Sequence, residues 1–367
     1  MLKKEAWIFF VLLLVSVNNS MAQGKITDNL WVQVNYQYGY TLPEYTFVSH
    51  AVDAPIYSLD LSVYKASSGQ DPFERLYKYP DRGIGIYLTS LGNEEVFGNA
   101  LALNYFFRVN IMDRNKFKLF NRMGVGLGYL TKVHSFDNTP TVQNVAIGSH
   151  FNIHYNCRLG LRYEILDKYN LNLGLSFDHF SNANTSEPNI GLNLLTGYAG
   201  VSHLLGDRLE KVTGEVPEHM SKWNFESFLS VGGKHTRSFS NKYYFTASTS
   251  TQVTYEWFRG FHVEAGVDFF FDGSIKDQYA ENSEEFHRYK SFQSGIHFSQ
   301  VIAYRKFRFI LQEGFYVGLK EPINYKVMYN RGILKYYLND QWSVRLTMKS
   351  HLHILDYPEL GIGFKWK

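Results

Sequence analysis

A single cysteine, Cys157, stands in 367 residues. No disulfide can form within the chain, and an unpaired thiol in a secreted protein reads as a small buried hydrophobe. Prolines number only 9 and charged residues make up 19%, against roughly 25% in ordinary globular chains. No basic cluster accompanies the net charge of +3, so nothing argues for a nucleic-acid partner. Beyond residue 22 no run of about 18 apolar residues remains, which excludes a membrane-spanning helix. Histidines such as His134, His150, His154 and His235 are scattered, so neither a metal nor a cofactor is expected. Gly124-x-Gly126-x-Gly128 opens no strand-to-helix unit and is not a nucleotide loop.

What the chain does have is aromatic residues, 17% of it, with 27 Tyr, 29 Phe and 29 Gly. Its first residues combine Lys3 and Lys4, an apolar run from Trp7 to Val17, and the small-residue site Ser20-Met21-Ala22. That is the pattern of a secretory signal peptide over 1–22. No cysteine follows it closely, so lipid attachment there is not expected. A secreted, aromatic-rich chain without helix signals fits an outer-membrane β-barrel.

Alternation with period 2 predicts antiparallel strands near 29–41, 54–66, 82–91, 98–112, 116–132, 146–165, 169–182 and 191–205. A polar linker over 206–223 follows. A second set is predicted near 224–238, 243–258, 261–273, 289–304, 307–319, 325–338, 341–353 and 359–367. The stretch at 156–179 resembles 330–351, 115–132 resembles 305–320, and PNIGLNL at 188–194 has its counterpart in PELGIGF at 358–364. This matching order indicates a tandem duplication: an all-β chain of two eight-stranded transmembrane barrels, 23–205 and a degenerate repeat 224–367. The alternative is one barrel of about 14–16 strands. The closing strand GIGFKWK, with an aromatic one residue from its end, looks like the C-terminal strand by which outer-membrane barrels are recognised for insertion. Tyr38, Tyr40, Tyr129 and Tyr198 are assigned to aromatic girdles.

Along 171–182 the odd positions are Leu171, Leu173, Leu175, Phe177, His179 and Ser181, and the even ones are mainly polar, Asp178 among them. Successive side chains face opposite sides of a strand. The odd row therefore faces lipid, and His179 and Ser181 continue it, where polar groups are costly unless they lie at the interface or act there. The bland account is a polar rim where a strand leaves the membrane. The chemical account is serine-mediated ester hydrolysis, in which a base must reach the hydroxyl and donors must meet the oxyanion. Residues i and i+2 share a face, so His179 can reach Ser181, and a hairpin closing over 183–190 brings Asn193 beside the histidine.

The stretch FDHFSNANTSEPNIGLN, 177–193, with its H-x-S-N-A and P-N-x-G, resembles the lipid A 3-O-deacylase (PagL) family, also called acyloxyacyl hydrolase-like. The resemblance covers about 26–205 and implies an outer-membrane barrel that removes an ester-linked acyl chain from lipid A or lipopolysaccharide. It makes His179 the base, Ser181 the nucleophile, Asn182 and Asn189 the oxyanion and site support, and Asn193 the occupant of the place where the family carries a glutamate. An Asn carbonyl orients the imidazole but does not stabilise the imidazolium. Glu187 on the loop is a candidate to compensate, whereas Asp178 points into the lumen. The rival reading is a non-catalytic barrel, lipid-binding, structural or a small pore, with a decayed site. Other membrane lipids remain alternative substrates. In the second half His351 and His353 are expected in the lumen, with no serine in the nucleophile's place.

Overall fold

Apolar-out, polar-in alternation runs through both halves of the chain, and hydrogen bonding closes it into two barrels rather than one. The computed structural model describes residues 25–134, 144–219, 223–235, 242–282, 285–320, 322, 326–352 and 354–366. The expected signal peptide and His353 lie outside the described residues. The first barrel comprises Leu30–Leu42 (β1), Ile56–Lys65 (β2), Asp81–Ser90 (β3), Asn99–Arg114 (β4), Phe117–Leu130 (β5), Phe151–Leu166 (β6), Tyr169–Ser181 (β7) and Leu192–Leu204 (β8). The second comprises Trp223–His235 (β9), Tyr243–Phe258 (β10), Phe261–Asp272 (β11), Phe292–Tyr304 (β12), Phe307–Tyr316 (β13), Met328–Tyr337 (β14), Trp342–His351 (β15) and Ile354–Trp366 (β16). Closure decides the barrel count. β1 pairs with β8 from Trp31↔Leu204 to Leu42↔Asn193, and β16 pairs with β9 from Glu359↔Gly232 to Trp366↔Phe225. A single large barrel would need β1 beside β16.

β7 carries the alternation clearly. Leu173 and Leu175 are 59% and 58% exposed on the outer wall, while Asn172 and Ser176 on either side of them are sealed in the lumen. Polar groups buried there must find partners, because an unpaired charge in low dielectric costs several kcal/mol. They do: Asp60 accepts from Arg122 and Arg158 at 3.2 and 3.0 Å, and Asp81 from Arg108 and Arg162. In the second barrel Arg331 bridges Asp268 and Glu359, and Lys335 joins Glu226 to Glu264. Both lumens are thus packed with paired charge.

The first lumen changes character at one rim. There Ile56, Tyr87, Phe97, Ile147, Phe180, Leu192 and Leu194 form an apolar plug. Phe180 is fully buried in it and stacks on His154 with ring centroids 4.4 Å apart. Gly128 makes the room, since a Cβ there would stand 2.7 Å from the Phe180 ring. The plug pins the end of β7, and with it the two outward residues flanking Phe180.

Four expectations are corrected. β6 begins at Phe151 rather than 146, because 144–150 crosses the rim, held by Asn144 Oδ1 accepting from the N–H of Ala146 and Ile147. β16 begins at Ile354 rather than 359, after a tight turn with Leu352 in the left-handed region (φ 57°). Pro358 therefore lies inside a strand, opposite Met348 and just before pairing with β9 begins, an edge-like place that tolerates a missing N–H. Cys157 sits half-buried on the outer wall opposite Phe177, not in a core. Tyr198 belongs to the lumen, under the Arg158 guanidinium, whereas Tyr38, Tyr40 and Tyr129 are exposed on the outer wall.

Candidate active site

Three strands place the site. Across β1, β8 and β7 the register aligns Leu42, Asn193 and His179 in one outward row. The His179 ring nitrogen Nδ1 lies 2.7 Å from Asn193 Oδ1. An amide oxygen only accepts, so Nδ1 carries the proton and Nε2 of the neutral ring is left as a base. Ser181 follows one pleat later on the same face, opposite Ile153 of β6, and is half-buried. No hydrogen bond joins Ser181 to His179 among the described residues. Such bonds are often long without substrate and tighten when it binds.

The loop after Ser181 is built from its own polar residues. The Asn182 N–H donates to Asn189 Oδ1 at 2.8 Å, and the Asn182 side-chain amide donates to the Ser186 carbonyl at 2.8 Å. Ala183 and Asn184 turn the chain in the left-handed region (φ 57° and 59°). The loop is then clipped to the rim segment: Ile190 and Gly191 N–H groups donate to the Ala146 carbonyl, and Ser186 Oγ donates to that of Gly148. Asn182 and Asn189, to which the resemblance gives oxyanion and site support, thus brace each other, with the Asn182 backbone N–H and side-chain amide both engaged within the loop.

Behind the wall, Asp178 accepts from Asn156, pairs with His154 at 2.9 Å and lies fully buried in the lumen, as its even position requires. In the second barrel His351 faces the lumen and its Nε2 lies 2.9 Å from the Tyr316 hydroxyl. No group of three or more ligating side chains suited to a metal occurs among the described residues.

The family model for lipid A 3-O-deacylase (PagL) matches residues 58–202, and the acyloxyacyl hydrolase C-terminal domain matches residues 223–367. The first barrel belongs to the lipid A 3-O-deacylase (PagL) family and the second to the acyloxyacyl hydrolase C-terminal domain family. Solved structures similar to it include the outer membrane enzyme PagL, 17% identical, covering 46% of this chain and 97% of that one with a TM-score of 0.32. Neisserial surface protein A is 11% identical, covering 48% and 98% with a TM-score of 0.34. A mutant Rh. blastica porin is 8% identical, covering 92% and 99% with a TM-score of 0.18. No curated protein sequence matches.

For this deacylase-family chain, two site features escaped the sequence reading. Glu44 lies two residues beyond Leu42, in the bend that follows β1, close enough for its carboxylate to act on the His179 imidazole. Gly191 is the second. It adopts φ 86°, and a Cβ there would stand 2.7 Å from His179 Cε1. Gly191→Ala is expected to push the ring off Asn193 and lower turnover about 100-fold, the scale of a misplacement near 1 Å. Steady-state turnover beside an unchanged barrel circular-dichroism spectrum measures it.

Proposed function

We propose that the chain is an outer-membrane serine esterase that removes an ester-linked acyl chain from lipid A. The observation that carries the reading is the Asn193–His179 hydrogen bond on the lipid-facing row beside Ser181. Ser181 Oγ attacks the ester carbonyl while His179 Nε2 takes its proton. The intermediate collapses, the sugar hydroxyl leaves with that proton, and water then frees the fatty acid from Ser181. The site lies at the rim that carries the long 182–191 loop and the 144–150 segment, whereas Asn115-Lys116 and Asp167-Lys168 turn the chain at the opposite rim. In outer-membrane barrels the long loops are extracellular, the side on which lipid A resides. A lipid substrate meets such a site sideways from its own leaflet, which accounts for a base and a nucleophile on a leucine face.

Asn193 fixes the tautomer and Glu44 supplies the negative charge that an amide lacks. Glu44→Gln is therefore expected to lower kcat about tenfold, near 1.4 kcal/mol of transition-state stabilisation, and Asn193→Glu to restore it. A pH profile of kcat for the three proteins checks this, because loss of a nearby carboxylate displaces the limb set by His179. The function itself is tested by expressing the chain in a lipid A-producing host and recording lipid A mass spectra. Loss of one acyl chain is expected; an unchanged spectrum, with folded protein in the membrane, favours a non-catalytic barrel.

A further inference from the structure

The seam that closes the second barrel parts before it reaches the rim. β9 and β16 pair from Trp366↔Phe225 up to Glu359↔Gly232 and separate above it, where Pro358 has no N–H to continue the ladder. Continued upward, the same register would set His235 of β9 opposite Asp356 of β16. β9 keeps its other neighbour as far as His235↔Tyr243, so the split lies in the seam alone. Asp356 is also the extra residue of a bulge, since β15 pairs Lys349 with Tyr357 and Ser350 with Leu355. On the lumen side its carboxylate accepts from Lys234 and Lys349 at 3.0 and 2.9 Å. Across the seam neither His235 nor Asp356 has a strand partner among the described residues.

A side chain of the first barrel enters that gap. Asn184, three residues beyond Ser181, donates its side-chain amide to the Asp356 carbonyl at 3.0 Å and lies 3.5 Å from the His235 carbonyl. A primary amide carries two N–H groups on one nitrogen, so Asn184 spans the parted strands as a ladder rung would. Its backbone is left-handed (φ 59°), a conformation Asn accepts more readily than most residues. The barrels also touch at the opposite rim. There the Tyr77 hydroxyl, just after the short helix Pro72–Leu76, donates to the Ala303 carbonyl at 2.5 Å, and Asp71 pairs with Arg305.

Resting on the esterase reading, we infer that Asn184 is a positioning residue through which the second barrel holds the 182–191 loop in its working place. The loop leaves β7 directly after Ser181 and returns through Gly191, whose backbone abuts the His179 ring. Contacts to Ala146 and Gly148 clip it within the first barrel, and Asn184 fastens its outer turn to the second. With that turn released, both catalytic side chains drift from the geometry that ester attack needs. The second barrel, with no serine in the nucleophile's place, thus serves the reaction by position.

Asn184→Asp tests the joint, because it keeps the shape and the left-handed backbone while turning a donor into an acceptor that faces two carbonyl oxygens. Asn184→Gly removes the side chain without backbone strain. Two measurements on the full chain in lipid nanodiscs keep the joint separate from the catalytic reading. The first is amide hydrogen exchange. Both variants are expected to exchange about fivefold faster or more at 183–190 and at 354–357 alike, the factor that one hydrogen bond accounts for. Unchanged exchange at 354–357 overturns the joint whether or not the protein is an esterase, because a fastener loosens both sides. The second is ester turnover per serine titrated by a fluorophosphonate, so that sites lost to misfolding do not count. Both variants are expected to lower kcat per titrated site about tenfold with KM unchanged, and Tyr77→Phe at the opposite rim to leave it alone. Unchanged kcat per site in both Asn184 variants, or an equal fall in Tyr77→Phe, overturns the positioning role. Absence of turnover on every ester by the wild-type chain refutes the esterase and the positioning role with it, while exchange still decides the joint.

Discussion

Ser181→Ala is expected to leave lipid A fully acylated, with release of fatty acid reduced by about 10³–10⁴ or more, because the nucleophile of a covalent mechanism has no substitute. The substitution is mild for the fold. Ser181 sits at the end of β7 on the outer face, half-buried and outside the paired lumen network, and changes away from such networks usually fall within about 0.5 kcal/mol. His179→Ala is expected to lose a similar amount, and the double variant no more than either alone, since residues acting as one unit are not additive. Fatty-acid release by purified protein in mixed micelles, read beside lipid A mass spectra, measures all three. Equal release by wild type and Ser181→Ala would sink the serine mechanism even with activity present. The wild-type rate is itself expected to be modest: replacing a triad carboxylate by its amide lowers turnover about 10⁴-fold in a serine protease, and Glu44, which does not occupy the triad position, is expected to recover only part of that.

The barrel was legible because period 2 is a backbone property. Leu171, Leu173 and Leu175 against Asn172 and Ser176 announced two faces before any pairing was known, and β7 and β10 begin and end close to where the alternation does. The polar break after the eighth strand favoured two barrels over one of about 14–16 strands, and the pairing of β1 with β8 decided it. Errors fell where alternation continues past the sheet. Residues 146–150 keep the pattern but cross the rim to plug it, and Pro358 mimics a turn signal inside a strand. Tyr198 and Cys157 were misplaced because composition was used where parity would have served: 198 is even-numbered on β8 and faces in, and 157 pairs with outward Phe177. The site was legible as His179, Ser181 and Asn193, since i, i+2 and a hairpin bring them to one face. Glu44 and Gly191 were not, because the one meets His179 from the bend beyond β1 and the other by a missing side chain. Neither leaves a local motif.

The second large effect concerns the lumen. Asp60→Ala is expected to destabilise the first barrel by about 3–5 kcal/mol, the scale for removing one partner of a buried ion pair, against a total stability of about 5–15 kcal/mol. Asp60 is fully buried and accepts from Arg122, Arg158, Ser62 and Asn35. Its removal strands two guanidinium groups beside each other with no replacement at hand, because the nearest carboxylate, Asp178, already serves His154, Asn156 and Ser176. Stacking of Arg122 on Phe106, 3.8 Å to the ring centroid, softens the loss without supplying charge. Trp31 is the tryptophan of the first barrel, so urea titration followed by its fluorescence, with Trp223, Trp257, Trp342 and Trp366 changed to Phe, isolates that unit. Asp268→Ala, which removes one of the two carboxylate partners of Arg331 in the other lumen, is expected to leave the Trp31 curve in place, since each barrel closes its own hydrogen-bond ring. Replacing Asp60, Arg122 and Arg158 together with apolar residues of similar volume is expected to recover most of the lost stability. Removing every member leaves no unpaired charge, and buried ion networks are often no stronger than the apolar packing that replaces them. If the triple variant is less stable than Asp60→Ala alone, the network contributes net stability, and the lumen charges hold the barrel together rather than merely fixing its register.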